Sequence, residues 1–261
     1  CNAIIDSKTI TLITGCMTTI IPNNTTSIGS DAFYHISKLT SINIPGSVTS
    51  IGATAFRGTR ITSIEIPDNV TSIGFGAFWD CERLTSVKLP NNLSAIESYL
   101  FDFCTNLTSI VIPNSVTSIG EKSFAYCRNL NSIEIPEKVT SIGHSAFYLC
   151  TNLRQITCHA TEPPICEIKV FEQVPRLSCK LIVPEGSEEA YMAANEWRGF
   201  YTADGIEGLE DESIVDVYNL QGVKVKRQVR MKDLQGTLPK GIYIINGKKT
   251  TDNTALLELI E

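Results

Sequence analysis

The feature that most constrains this chain is a repeat of 22 or 23 residues that runs through its first 160 positions. An Ile/Leu-Pro pair recurs with spacings of 23, 22, 23, 23 and 23 residues, at Pro22, Pro45, Pro67, Pro90, Pro113 and Pro136. A phenylalanine recurs in step with it, at Phe33, Phe56, Phe78, Phe101, Phe124 and Phe147, with a weaker copy at Phe171. Two independent landmarks that share one period predict a stack of equivalent structural units.

The consensus LTSIxIPxxVTSIGxxAFxxC gives each part of the unit a structural role. In the fifth copy, Ile110 and Ile112 alternate with Val111, which is the period of a strand with one buried face. Pro113 ends that strand, because proline has no N–H to donate to a sheet. A second short strand, TSI, ends at the repeat glycine. The segment after it predicts a short helical or 3₁₀ turn with Phe124 pointing inward.

One unit of this size cannot bury its own apolar face, whereas stacked copies can, with strands about 4.8 Å apart. The sequence therefore predicts a right-handed solenoid of short parallel strands, of α/β or mainly-β class, over residues 1–160. Equivalent residues of successive coils are expected to form ladders, with the phenylalanines in the core. We expect irregularity in two coils: the second is one residue short near Gly58, and the fourth carries Glu97 for glycine and Leu100 for alanine.

These residues resemble the BspA-like leucine-rich repeats, a bacterial class with a 23-residue unit, over about residues 1 to 160. The opening CNAIIDSKTITLITGC resembles an irregular coil that often precedes the regular repeats of that family. The resemblance implies a surface or secreted protein that acts as an adhesin or contacts host matrix proteins and other cells. Since the chain opens on Cys1 within what reads as a strand, we expect a fragment of a longer protein.

The nine cysteines fall into groups with different expected roles. Four are repeat positions spaced by 23 residues, one per coil: Cys81, Cys104, Cys127 and Cys150. A row of single ligands does not converge as a zinc site requires, so we expect buried thiols and no metal or other cofactor. Cys1 and Cys16 lie together in the irregular first coil, and the sequence leaves open whether they form a disulfide. Cys158 takes the strand position of Ile135 and is expected in the core.

The period fails after Cys158, and three further segments follow. Residues 161–203 predict a C-terminal cap with a short helix, for which Ser187 is a good N-cap. Residues 204–212 predict a linker, and residues 213–261 a small β-sandwich-like module with a hairpin signal at Asn246-Gly247. The stretches VYNLQGVKV and LPKGIYIINGKK resemble the sorting domain of proteins exported by the type IX system, although its usual basic ending is absent. The alternative is a small β module that only packs against the cap.

The sequence offers little for catalysis or for nucleic-acid binding. His35 and His144 occupy variable repeat positions, His159 adjoins the cap, and no spacing suggests a catalytic triad. Glu65 and Glu134 are three coils apart, about 14 Å, which is too far for glycosidase chemistry. The net charge of −6 with interspersed charges argues against a basic nucleic-acid-binding face, and no apolar run is long enough for a transmembrane segment. We therefore expect a protein that is not an enzyme.

Variable positions of the repeat are the candidate binding residues. The outward strand position carries Asn43, Glu65, Lys88, Val111 and Glu134, and the positions just after the ladder phenylalanine carry Tyr34, Trp79, Phe103, Tyr126 and Tyr148. Aromatic side chains are favoured binding anchors, although they also fill gaps between neighbouring turns. The leading hypothesis is a non-catalytic adhesion module for a protein ligand, such as a host extracellular-matrix protein or another cell surface. A structural spacer of the cell envelope and a carbohydrate-binding module remain the alternatives.

Overall fold

The computed structural model of the chain describes residues 3–201 and four strands nearer the C-terminus; residues 1–2, 202–213, 220–223, 231–241, 248–253 and 259–261 lie outside the described residues. The strands of the first part are β1 (Ile4–Asp6), β2 (Thr11–Thr14), β3 (Ser27–Ile28), β4 (Ser50–Ile51), β5 (Ser63–Glu65), β6 (Ser72–Ile73), β7 (Ser86–Lys88), β8 (Ala95–Ile96), β9 (Ser118–Ile119), β10 (Ser132–Ile135), β11 (Ser141–Ile142), β12 (Gln155–Cys158), β13 (Ile165–Cys166) and β14 (Lys180–Ile182). Helix α1 (Glu188–Ala193) and 3₁₀ turns at Arg176–Ser178 and Arg198–Phe200 complete it.

These strands belong to seven coils, which we number by their phenylalanines from Phe33 in coil 1 to Phe171 in coil 7. The TSIxIP segments form the long-strand side, with sheets β5–β7 and β10–β12–β14. The TSI segments form the short-strand side, with sheets β1–β2–β3–β4–β6 and β8–β9–β11–β13. Residues between the repeat glycine and the repeat cysteine form the turn side. Every strand pair of the coils except β1–β2 is parallel, which confirms the predicted parallel solenoid with little helix.

The predicted phenylalanine ladder forms the core. All seven rings are fully buried, and neighbouring rings stack nearly parallel with centroids 5.2 to 5.7 Å apart. Trp197 of the cap closes the stack, with its ring 5.0 Å from that of Phe171. Its indole N–H donates to the carbonyl of Pro164 at 2.9 Å, so the polar edge of this buried ring is satisfied.

Backbone hydrogen bonds join the coils along the turn side. At every step from coil 1 to coil 7, three N–H groups of one coil donate to three carbonyls of the next, as Phe78 does to Leu100 at 3.1 Å. The donors are the ladder phenylalanine and the residues two before and two after it. Those two flanking residues have positive φ in every coil, for example Tyr99 at 61° and Phe103 at 58°. The alternation of backbone conformations points all three N–H groups in one direction along the solenoid.

The repeat cysteines are buried free thiols, as predicted. The thiol of Cys104 donates to the carbonyl of Phe78, and that of Cys127 to the carbonyl of Phe101, each at 3.2 Å. Burial raises the pKa of Cys81 to about 12 and raises the pKa of the other repeat thiols as well, so thiolate chemistry is suppressed.

Three further cysteines were the subject of predictions. Cys158 is buried and pairs with Ile135, which confirms its place in the core. Cys16 is disulfide-bonded. The partner considered for it, Cys1, lies outside the described residues.

Each of the two irregular coils interrupts the sheet on one side of the solenoid. On the long-strand side, residues 41–44 of the second coil do not pair with β5. On the short-strand side, a Cβ added to Gly120 would lie 2.5 Å from the Ser98 nitrogen, so the coils approach too closely there for a side chain. The Gly120 N–H donates to Ile96 at 2.7 Å, whereas Glu97 makes no such bond to Ile73, and the sheet is divided between β6 and β8. The Cβ of Glu97 therefore explains the break.

The solenoid continues past residue 160, where the loss of period predicts its end. Strands β13 and β14 extend both sides, pairing with β11 and β12. Longer connections inside coil 7 hide this continuation in the sequence, and we propose to place the end of the stack after β14. Ser187 precedes α1 as predicted, but its side chain makes no capping hydrogen bond.

The C-terminal strands are β15 (Ile214–Asn219), β16 (Lys224–Arg230), β17 (Ile242–Gly247) and β18 (Thr254–Glu258). They form one antiparallel sheet in the order β16–β15–β17–β18. Asn246 and Gly247 lie at the end of β17, so the hairpin to β18 is not a two-residue turn at that pair. The predicted linker, residues 204–212, lies outside the described residues.

Truncation of a central ladder ring tests the core. Phe101→Ala removes a ring stacked on both sides and should lower the free energy of unfolding by about 3–5 kcal/mol. Phe33→Ala should cost less, because Phe33 stacks on one phenylalanine only. Denaturant unfolding measures both, with the exposed Lys88→Ala as control, expected within about 0.5 kcal/mol of the original protein. A Phe101→Ala variant as mild as the control would contradict the ladder as core.

Close approach of the coils makes a second prediction. Gly120→Ala should cost about 1–3 kcal/mol, because its Cβ would press on the preceding coil. Gly46→Ala is the matched control, since nothing lies within 4 Å of its added Cβ. Thermal melting of both variants measures the difference, and equal melting temperatures would show that the glycine is not needed for the approach.

Candidate functional site

The strand-side candidates lie in one outward column but are engaged mainly with each other. Glu65 and Lys88 are directly paired in register, and their side chains form a salt bridge. Val111, which is 79% exposed, forms an isolated backbone bridge with Glu134. Asn43 lines a shallow depression of about 430 Å³ at the N-terminal end of this side. The column therefore presents an internally neutralised pair and separate single residues.

The aromatic candidates lie on the turn side, where further rings join them. We call this set the aromatic band: Tyr34, Phe75, Trp79, Tyr99, Phe103, Tyr126 and Tyr148. None of its members is fully buried, and Tyr34 and Phe75 are 44% and 43% exposed. Strand-side and turn-side candidates thus occupy different sides of the coil rather than one common site.

Three rings of coils 3 and 4 form the centre of the band. The Trp79 ring lies 5.2 Å from that of Tyr99 and 6.3 Å from that of Phe75, and Phe75 lies 4.9 Å from Tyr99. These coils are the pair whose short-strand sheet is divided at Glu97. Phe75 follows the repeat glycine directly and Tyr99 stands two residues before the ladder ring. The rings therefore gather where the coils are held apart on the adjoining side.

A cation covers the central tryptophan. The guanidinium carbon of Arg57 lies 3.6 Å from the Trp79 ring centroid and 5.6 Å from that of Tyr34. Arg57 thus bridges coils 1 to 3 through two rings, an arrangement that contributes about 0.5–2 kcal/mol where it is partly desolvated.

A second cation lies on the same band. The ammonium of Lys122 lies 5.2 Å from the Tyr99 centroid and donates to the Tyr99 hydroxyl at 3.2 Å. The Tyr99 hydroxyl donates in turn to a carboxylate oxygen of Glu121 at 2.8 Å. The hydrogen-bonding groups of this Lys–Tyr–Glu chain are thus occupied within the molecule.

A second group of rings extends the band toward the C-terminus. Phe103 and Tyr126 stack with centroids 4.0 Å apart, and Tyr148 meets Tyr126 edge-on at 5.4 Å. Each ring comes from a different coil, so the stack also ties coils 4, 5 and 6 together. The two proposed roles of such rings, binding and packing between turns, are thus compatible here.

Asp102 is a buried acid beneath the band. It is 2% exposed, and its Oδ1 has no hydrogen-bond partner. Burial raises its pKa to about 7; the charge of Asp80 adds to this rise, while Lys122 and Arg57 oppose it. A carboxyl held this way is protonated more readily than a surface acid.

Several residues of this site do not stand out in the sequence. Phe75 and Tyr99 precede the ladder phenylalanine, so a search of the positions after it does not find them. Arg57 and Asp102 do occupy the position after the ladder ring, where Tyr34 and Trp79 also stand. Aligning all coils and reading that column for every residue type, not only for aromatics, would have found both.

No group of three or more His, Cys, Asp or Glu side chains among the described residues is placed to hold a metal ion. Within the same residues no helix has the length and apolarity needed to cross a membrane.

The raised pKa of Asp102 predicts a pH-dependent stability. Between its ordinary value of 3.8 and about 7, the folded protein keeps a proton that the unfolded chain has released. The free energy of unfolding should therefore fall as the pH rises through this range and level off above it. Asp102→Asn should remove this pH dependence. Between about pH 4 and about pH 8, the free energy of unfolding of the variant should rise by up to about 4 kcal/mol relative to that of the original protein.

Denaturant unfolding at several pH values measures this effect. The exposed Glu82→Gln is the control and should follow the original pH curve. Parallel curves for Asp102→Asn and the original protein would show that the buried carboxyl does not titrate in this range.

Comparison with known proteins agrees with this architecture. The family model for the BspA type leucine rich repeat region matches in 6 copies, over residues 13–127 and 94–186, more than half of the chain. A leucine-rich repeat protein from Eubacterium ventriosum is similar in structure, with 24% identity, a TM-score of 0.59, and coverage of 66% of this chain and 48% of that chain. One from Bacteroides ovatus has 25% identity, a TM-score of 0.41, and coverage of 66% and 58%.

This chain thus spans about half the length of the solved structures it matches. No curated protein matches it significantly in sequence. The first structural likeness agrees with the fold, and the family match covers the repeats themselves. The chain belongs to the BspA type leucine-rich repeat family.

Proposed function

We propose that this chain is a non-catalytic, extracellular or cell-surface interaction module that binds a protein partner through the aromatic band. The observation that carries the proposal is the gathering of rings from coils 1, 3, 4, 5 and 6 on one side, with Arg57 among them. Trp, Tyr and Arg are the residues that most often dominate the energy of protein interfaces. A leucine-rich repeat scaffold that displays them is suited to binding.

The strand side is a weaker candidate for the main contact. Glu65 and Lys88 already satisfy each other, so a partner would have to replace that pairing. Val111 is exposed but isolated among polar neighbours. We therefore propose that the strand-side residues contribute to the edge of an interface whose centre lies on the turn side.

An extracellular location is supported by the disulfide-bonded Cys16, because disulfides persist in oxidising compartments. The free thiols of the repeat positions, Cys81, Cys104, Cys127 and Cys150, do not argue against it, since burial protects them. The resemblance of residues 213–261 to a type IX sorting domain adds a route of export to the proposal. The proposed partner is a host extracellular-matrix protein or a protein on another cell.

The alternatives predict different surfaces. A carbohydrate-binding module needs an open ring face for a sugar to stack on, and one face of Trp79 is covered by Arg57. A structural spacer needs no cluster of partly exposed rings, yet Phe75 and Tyr34 are nearly half exposed. Both observations favour a protein partner.

Binding of the purified chain to immobilised matrix proteins and to whole cells tests the proposal. Trp79→Ala should weaken saturable binding about thirtyfold, corresponding to the loss of about 2 kcal/mol expected for an interface hot spot. Lys88→Ala, on the strand side, should change it less than about threefold. Melting curves ensure that both variants are folded. Absence of saturable binding, or equal binding by Trp79→Ala and the original chain, would contradict the proposed role of the band.

A further inference from the structure

Arg57 is held in place by rings but lacks an acceptor for its hydrogen bonds. Its Nε is buried and has no hydrogen-bond partner. None of the ion pairs among the described residues includes it. A desolvated donor without a partner costs free energy, about 1–3 kcal/mol or more for a charged group.

Three other cations of the described chain differ from Arg57 in this respect. Lys88 pairs with Glu65, and Arg176 donates to Glu196 at 2.8 Å. Lys122 donates to the Tyr99 hydroxyl. Arg128 also lies over a ring of the band, 5.9 Å from the Tyr126 centroid, but its side chain is exposed. Arg57 is instead half-buried against Trp79 and Tyr34, which hold its guanidinium while its terminal amino groups enter none of the ion pairs of the described residues.

A guanidinium that lies flat on a ring has its N–H groups in its own plane, which is parallel to the ring, so they point sideways past the ring. This N–H edge matches the two oxygens of a carboxylate, because Arg donates two parallel hydrogen bonds to it. We propose that Arg57 is the recognition residue of the aromatic band and binds a carboxylate of the protein partner. The inference rests on the proposed function and names the chemistry that the partner must present.

Nearby acids limit which carboxylate fits. Asp31 accepts a hydrogen bond from the hydroxyl of Thr54, and neither Asp31 nor the buried Asp102 forms an ion pair with Arg57. Asp80 lies close enough to Asp102 to raise its pKa, and the Asp80 carboxylate disfavours a long acidic run in the ligand. The exposed rings of Tyr34 and Phe75 offer apolar contact on either side. The fitting ligand is therefore a single acidic side chain flanked by apolar residues.

Two synthetic peptides test this chemistry directly. Both carry leucines around a central residue, which is glutamate in one and glutamine in the other. Tryptophan fluorescence reports binding, because the chain has two tryptophans and Trp197 is fully buried in the cap. The glutamate peptide should bind about tenfold more tightly than the glutamine peptide, and added salt should reduce the difference.

Arg57→Lys keeps the charge but removes the planar pair of donors, so it should reduce the preference for glutamate. Arg60→Lys is the matched control, since Arg60 is exposed and lies on the same coil; it should retain the preference. Melting curves should show that both variants are folded.

Several outcomes would overturn the inference: no binding of the glutamate peptide, equal binding of both peptides, or an unchanged preference in Arg57→Lys. Displacement of the peptide by neutral oligosaccharides would overturn it too, because it would point to a sugar site. The proposed function is judged separately. If matrix or cell binding depends on Trp79 but not on Arg57, the band is the interface and only the carboxylate assignment fails.

Discussion

The turn-side backbone ladder is the constraint on which the rest of this solenoid depends. Both strand sides are interrupted, but the turn side keeps three hydrogen bonds at every step from coil 1 to coil 7. Each bonded peptide group directs its carbonyl to the preceding coil and its N–H to the following one. Their dipoles are therefore aligned along the solenoid, as in a helix, although the described residues form no long helix.

This alignment leaves unpaired N–H groups at the C-terminal end, and the cap supplies a carboxylate there. Glu196 accepts from the N–H of Lys169 at 2.9 Å and from that of Phe171 at 3.4 Å, and Arg176 holds the same carboxylate. Successive N–H groups in alternating conformations form a concavity that favours an anion. The cap thus ends the phenylalanine stack with Trp197. It ends the backbone ladder with Glu196, the residue next to it.

The sequence predicted what depends on the repeat and missed what depends on single residues. The parallel strands, the buried Phe101 and the thiol core at Cys104 follow from periodic positions that must fit identical neighbours. The irregularity at Glu97 was predicted, but its effect was not, because only the 2.5 Å approach seen at Gly120 shows why a Cβ must open the sheet. Coil 7 was indicated only by the weaker copy at Phe171, because its connections are longer than the period.

The binding residues were predicted in part for the same reason. Trp79 and Tyr34 occupy the same position of the repeat, directly after the ladder phenylalanine. They were identified there as aromatic residues at a variable position. The column also contains Arg57 and Asp102, whose roles come from neighbours in other coils rather than from their own spacing. Such contacts join different coils and depend on which residue each copy has at that position. The consensus sequence therefore does not predict them.

A continuous ladder on one side also explains how the protein can vary its surface at little cost to the fold. The turn-side bonds use backbone atoms alone, so they form whether the residue after the ladder phenylalanine is Arg57, Trp79 or Asp102. The cap needs only the N–H groups of the last coil, so its fit does not depend on how many coils precede it. Stability therefore resides in inward and backbone groups that every coil shares. Specificity resides in outward positions that each coil can change independently, which is the division that an interaction scaffold requires.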